Sequence, residues 1–193
     1  MSFFRPRHAV LLFCAVASPL PMASAAEEAS TLVPNMRVFC QYHVAAIFPE
    51  EPKIRDTTYR NGGRTVPARQ FYVERGRDKF TITIADFTNG PAIDDSIVEN
   101  AVVPYRQRGQ IRDQFPEDYT PGIPGRQLNI MDSGGRQYRV SIYMNDHRLY
   151  INETYAAPND FAALQFEQSM LVINGEGADQ NAVANPTRYP CTK

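Results

Sequence analysis

The hydrophobic positions of this chain follow two different periods. Phe80-Thr-Ile-Thr-Ile84 alternates cleanly, as do Tyr138, Val140, Ile142 and Met144 with their polar neighbours. A period of two lines one face of a β-strand. Lys53 to Tyr59 and Thr65 to Glu74 flank Asn61-Gly62-Gly63, residues that tolerate the positive φ of a hairpin turn. With Phe80–Ile84 they predict a three-stranded antiparallel meander. A second meander is predicted over Arg126–Met131, Gln137–Met144 and Arg148–Tyr155, turning at Asp132-Ser-Gly-Gly135 and Asn145-Asp146. Val38 to Phe48, rich in β-branched and aromatic residues and closed by Pro49, reads as one further strand, and Gln110–Phe115 as a short one.

Two stretches change to helical spacing. Ile97, Ala101, Val102 and Tyr105 share a helical face behind the capping run Asp94-Asp95-Ser96, with Pro104 set to kink or shorten the helix. Ala162, Phe166, Met170 and Ile173 fall on one face of a second helix, with Asn159 as N-cap and Asn174-Gly175 as its stop. The expected fold class is α+β: an antiparallel sheet of two three-stranded meanders, helices on one face, the other face wetter. Residues 27–175 form a single domain, and 176–193 a tail.

The first 26 residues stand apart. Arg5 and Arg7 precede the apolar run Val10–Ala17, and Ala23-Ser-Ala25 ends in small residues, the form of a secretory signal too short to span a bilayer. The mature protein is therefore expected in the periplasm or secreted. Cys14 leaves with the signal, and the bulky Phe13 before it does not suit lipid attachment. Cys40 and Cys191 remain, an even pair that reads as a disulfide pinning the tail in an oxidising compartment. Removing Arg5 and Arg7 leaves 18 basic against 21 acidic residues, a net charge of −3. No basic stripe suggests nucleic acid, and no second apolar segment suggests a membrane span.

An ordered series of short motifs carries a family resemblance. Phe48-Pro49 with Pro52-Lys53 comes first, then Tyr59 and Gly63 leading to Val66-Pro67-Ala68. Tyr72-Val73, Phe80 to Phe87, Gly125-Arg126-Gln127-Leu128, Arg148-Leu149-Tyr150 and Phe166 to Leu171 follow. Over residues 38–173 the series resembles small exported bacterial proteins of unknown function with a PsbP-like domain. The resemblance implies that fold and a binding or assembly role. The sequence has no P-loop and no Gly-x-Gly-x-x-Gly, and no cofactor is expected. It transfers no partner, because none of the contact residues of known members can be matched here.

Candidate chemistry is sparse. Asp132-Ser133-Gly134-Gly135 matches the peptide around a serine-protease nucleophile, with His43 upstream, but it is also good turn chemistry between two alternating strands. After the signal only His43 and His147 remain, without metal-ligand spacing, and neither Asp94-Asp95 nor Glu50-Glu51 has the pattern of a calcium loop. Ionisable residues on apolar strand faces are more telling, since a buried charge is costly unless paired. Asp86 continues the Phe80–Ile84 face, Glu153 the Leu149–Ile151 face and Arg126 the Leu128–Ile130 face. These three with His147 are expected to line a polar ligand cleft on the sheet. The Pro-rich loop 116–125 offers Tyr119 and Ile123 as anchors for a protein partner. The first reading is an exported binding or assembly module with an unidentified protein partner. A small-ligand carrier and a hydrolase without an identifiable nucleophile are the alternatives.

Overall fold

Residues 35–89, 96–181 and 186–192 are described by a computed structural model of the chain. The expected signal over residues 1–26 and the expected capping residues Asp94 and Asp95 lie outside them. Strands β1 (Met36–Phe39) and β2 (Val44–Ile47) come first, followed by β3 (Lys53–Asn61), β4 (Arg64–Arg75) and β5 (Asp78–Asp86). Helix α1 (Ser96–Arg106) precedes β6 (Gln110–Pro116), β7 (Gly125–Met131), β8 (Gln137–Asn145) and β9 (Arg148–Ala156). Helix α2 (Phe161–Ser169) and the short β10 (Leu171–Val172) complete the order.

The strands build two antiparallel sheets rather than one sheet of two meanders. One has seven strands in the order β3-β4-β5-β9-β8-β7-β6, the other three in the order β1-β2-β10. Turns with positive φ at Gly62 and Gly63 fold β3 onto β4. The ladder between β5 and β9, with Ile82 opposite Asn152 and Ile84 opposite Tyr150, merges the two halves of the large sheet. Strand β6 then extends it beyond β7.

The helices cover opposite faces, not one. Phe166 of α2 meets Phe48 at 4.9 Å and Phe80 at 5.7 Å, over a face that includes Phe71, Ile82 and Tyr150. Ile97, Ala101, Val102 and Tyr105 of α1 pack against Leu128, Val140, Ile142 and Ile151 on the other. The central strands are buried on both sides, from Val140 to Met144 and from Leu149 to Asn152. The polar positions that looked solvent-facing in sequence, Ser141, Asn152 and Thr154, are buried beneath α2 or beside it.

Two further differences are local. The run Val38–Phe48 is not one strand: Cys40–Tyr42 form a 3-10 turn, His43 takes φ 58°, and β1 folds back onto β2. Helix α2 starts one residue later than expected, capped by Asp160, whose side chain accepts from the Ala163 N–H at 2.7 Å. It also ends at Ser169, because Leu171 and Val172 leave the helix to pair with β2. Helix α1 runs through Pro104 to Arg106.

The tail returns to the small sheet. The Tyr189 N–H donates to the Gly177 carbonyl at 2.9 Å, and the Thr192 N–H to the Val38 carbonyl at 2.8 Å. Cys40 and Cys191 are joined in a disulfide across 151 residues, as the paired cysteines led us to expect. Among the described residues no helix is long and apolar enough to cross a membrane.

Candidate functional site

Helix α2 is short, and its inward side is not wholly apolar. Beside Phe166 the next residue, Glu167, also turns toward the sheet, leaving 3% of its side chain exposed. Its Oε1 accepts from Gln127 Nε2 at 2.9 Å and its Oε2 from Arg139 Nη1 at 3.2 Å. Burial pushes its carboxyl up; Arg139 and Gln127 pull it back, and the nearby Glu117 adds to the rise.

The sheet beneath supplies matching polar rows. Gln127, Ser141 and Asn152 stand opposite one another across β7, β8 and β9, and Asn129, Arg139 and Thr154 form the next row. Asn152 Nδ2 donates to the carbonyls of Phe166 at 3.3 Å and Glu167 at 3.1 Å, tying the helix down. Asn129 Oδ1, Asn152 Oδ1 and Thr154 Oγ1 are buried with no hydrogen-bond partner among the described residues, an uncommon state for buried polar atoms.

Beside this layer a cavity of about 400 Å³ opens between α2, the β7–β8 pair and the loop after β6. Glu117, Tyr119, Gln127, Ser141, Tyr143 and Glu167 line it. Within the loop Thr120-Pro121-Gly122-Ile123 closes a tight turn, with Gly122 at φ 95° and the Ile123 N–H donating to the Thr120 carbonyl at 2.9 Å. That turn sets Tyr119 against Tyr143, ring centroids 5.4 Å apart and edge to face. Tyr119 donates its hydroxyl to Asp179 at 2.6 Å. Burial, then the charge of Glu117, pushes the Tyr143 phenol up to about 12; burial and the Asp179 hydrogen bond raise Tyr119 too. Both rings therefore stay neutral at ordinary pH.

A smaller cavity of about 210 Å³ lies on the same face near the end of β5, lined by Tyr42, Asp56, Arg69, Asp86 and Arg148 among others. Arg69 ion-pairs with Asp56 at 2.5 Å and lies over the Tyr42 ring.

The four residues expected to share a cleft do not share one. Asp86 is exposed at the end of β5, where Oδ1 accepts from the Thr88 N–H at 2.8 Å. Those hydrogen bonds from Thr88 hold its carboxyl below the usual range. His147 is exposed in the turn between β8 and β9. Arg126 and Glu153 sit on the opposite, α1-covered face, each already paired. Arg126 meets Glu99 of α1 at 2.5 Å, and Glu153 accepts from Tyr105 at 2.6 Å and Arg108 at 2.7 Å. Tyr119 and Ile123 point inward rather than offering free anchors: Tyr119 is half-buried and Ile123 buried. Around Ser133 the geometry is that of a turn, in which Asp132 Oδ1 accepts from the N–H groups of Gly134 and Arg136, both at 2.8 Å.

Sequence reasoning missed Glu117, Gln127, Ser141 and Glu167. The available signal was Glu167 directly after Phe166 in an apolar helical stripe, which becomes informative only once the polar row beneath it is known.

No known family profile matches the chain, and no curated protein matches it. Among solved structures it is similar to cyanobacterial PsbP (CyanoP) from Synechocystis sp. PCC 6803, at 11% identity and a TM-score of 0.47, covering 79% of this chain and 99% of that one. It is also similar to a protein of unknown function from Pseudomonas aeruginosa, at 14% identity and a TM-score of 0.32, covering 55% of this chain and 85% of that one.

Proposed function

We propose that the chain is an exported binding module without catalytic activity, and that its binding site is the cavity beside Glu167. The observation that carries this reading is a concavity of about 400 Å³ walled by two tyrosine rings, with polar groups converging from a strand pair, a helix and a loop. That size and mixture suit a small ligand. Export to the periplasm or beyond is supported by the character of residues 1–26 and by the Cys40–Cys191 disulfide. In this reading residues 27–175 act as one unit, with the tail stapled to it.

The test is a native mass spectrum of the mature protein purified from the exported fraction of its own host. The expected spectrum shows a small-molecule adduct that is lost when Ser141→Phe fills the cavity floor. An adduct that survives the filling would place binding elsewhere and overturn the assignment.

A protein partner is the second reading, favoured by a different observation. Strand β6 is an edge strand exposed along its whole length, with Ile111 at 37% and Phe115 at 42%. Exposed edges can take an added strand. Here the register shift between Ile111 and Asp113 blunts the edge, which is why the cavity ranks first. A second polypeptide in the native spectrum, lost on Ile111→Lys, would reverse that order.

A further inference from the structure

We infer that the cavity beside α2 takes a small organic cation, its ammonium or guanidinium group held between the carboxylates of Glu117 and Glu167 with the Tyr119 and Tyr143 rings alongside. This rests on the binding-module reading and adds the chemical class of the ligand.

Charge is the first argument. Glu117, Asp118 and Glu167 all line the cavity, and its lining contains no lysine or arginine. Arg139 reaches Glu167 from the adjoining sheet row, so one carboxylate is partly compensated, while among the described residues no ion pair reaches Glu117 or Asp118.

Hydrogen-bond accounting points the same way. Glu117 Oε2, on a lining residue, is buried without a partner among the described residues. It is an acceptor. An ammonium or guanidinium is a donor with no acceptor, the complement of such a site. At the smaller cavity the corresponding unpaired atoms are Arg69 Nε and Arg148 Nη1, which are donors. The two cavities on one sheet face therefore ask for opposite ligands, and only the larger asks for a cation.

The aromatic walls add to this. A cation close to a tyrosine face is attracted by the negative face of the ring quadrupole, more strongly where water is excluded. A metal ion fits less well, because no cluster of three or more His, Cys, Asp or Glu among the described residues is arranged to hold one.

The experiment is an amide NMR titration of the full mature chain with agmatine at low ionic strength. Adipate and hexanediol serve as anionic and neutral probes of similar length. Agmatine is expected to shift the Ser141 and Leu171 amides saturably and to bind about tenfold more weakly to Glu117→Gln, the loss of one charged hydrogen bond. Glu117 is partly exposed, so that variant should fold, and an unchanged thermal midpoint verifies it. If adipate or hexanediol shifts those amides while agmatine does not, the cavity binds but the inference of a cation fails. If agmatine binds Glu117→Gln as well as the parent, the placement of the cation fails. Silence from all three probes would overturn the binding-site reading itself.

Discussion

Glu167 places a carboxylate where the fold would otherwise put an apolar side chain, and its titration reports the cost. Burial raises its pKa in the folded state above the ordinary value of about 4.3. The folded chain then holds that proton more tightly than the unfolded chain. The sign follows: this residue's contribution is most favourable below about pH 4.3 and is lost as pH rises through the folded-state value. Glu167→Gln should therefore gain stability relative to the parent between pH 4 and pH 7. Paired thermal melts at the two pH values measure this, and a relative loss instead would mean that the Arg139 pair outweighs burial. At this scale the faces were legible in sequence: Asp86, Arg126 and Glu153 do extend the apolar faces assigned to them. What those residues meet was not legible. Thr88 is near in sequence, but Glu99, Tyr105 and Arg108 reach Arg126 and Glu153 only because α1 crosses that face. A face says which way a side chain points, not what covers it.

Among the elements, the joint between the loop after β6 and strand β8 is the tightest constraint on the cavity. A Cβ on Gly125 would collide with the Glu117 carbonyl, the Tyr143 ring and the Ile142 carbonyl. Two of these are backbone and cannot swing away. Gly125→Ala should cost about 1–3 kcal/mol by overpacking and push the Glu117 segment off the sheet. Chemical denaturation measures the first effect, and amide shifts at Tyr119 and Tyr143 the second. A silent substitution would mean that this joint is looser than its geometry. Hairpins were readable from the sequence because Asn61-Gly62-Gly63 and Asp132-Ser-Gly-Gly135 carry their own turn chemistry. The β5–β9 junction joins strands 62 or more residues apart, and no local signal encodes it. The same holds for β10: Met170 and Ile173 continue the helical period, and Leu171 and Val172 between them become strand only because β2 is there to pair with them.

For the molecule as a whole, the small sheet is held by what happens at both ends of the chain. Val38, Cys40, Ala45 and Ile173 form its core, with Tyr189 against them. In the chain-entropy model a disulfide closing a loop of this length stabilises by about 5 kcal/mol, an upper figure because residual unfolded structure reduces it. Cys191→Ser should lower the denaturant midpoint accordingly and loosen β1, β2 and β10 before the seven-stranded sheet. Hydrogen exchange on the oxidised and serine forms separates the two sheets. Uniform loosening of both would show that they unfold as one. The pairing of the cysteines was legible from the signal-like first 26 residues and an even count, whereas the tail's hydrogen bonds to Val38 and Gly177 depend on backbone geometry that side-chain pattern does not carry.

The disulfide has one more consequence, which concerns cutting rather than folding. Because Cys40 and Cys191 bracket almost all of the described chain, that chain is covalently close to a ring. A protease that severs a single exposed turn, such as that at Pro121-Gly122 in the proline-rich loop, opens the ring without dividing it. Both pieces stay tethered, and the seven-stranded sheet, which takes strands from either side of that turn, can keep its ladders. One cleavage there would change the number of chain ends without changing the number of molecules.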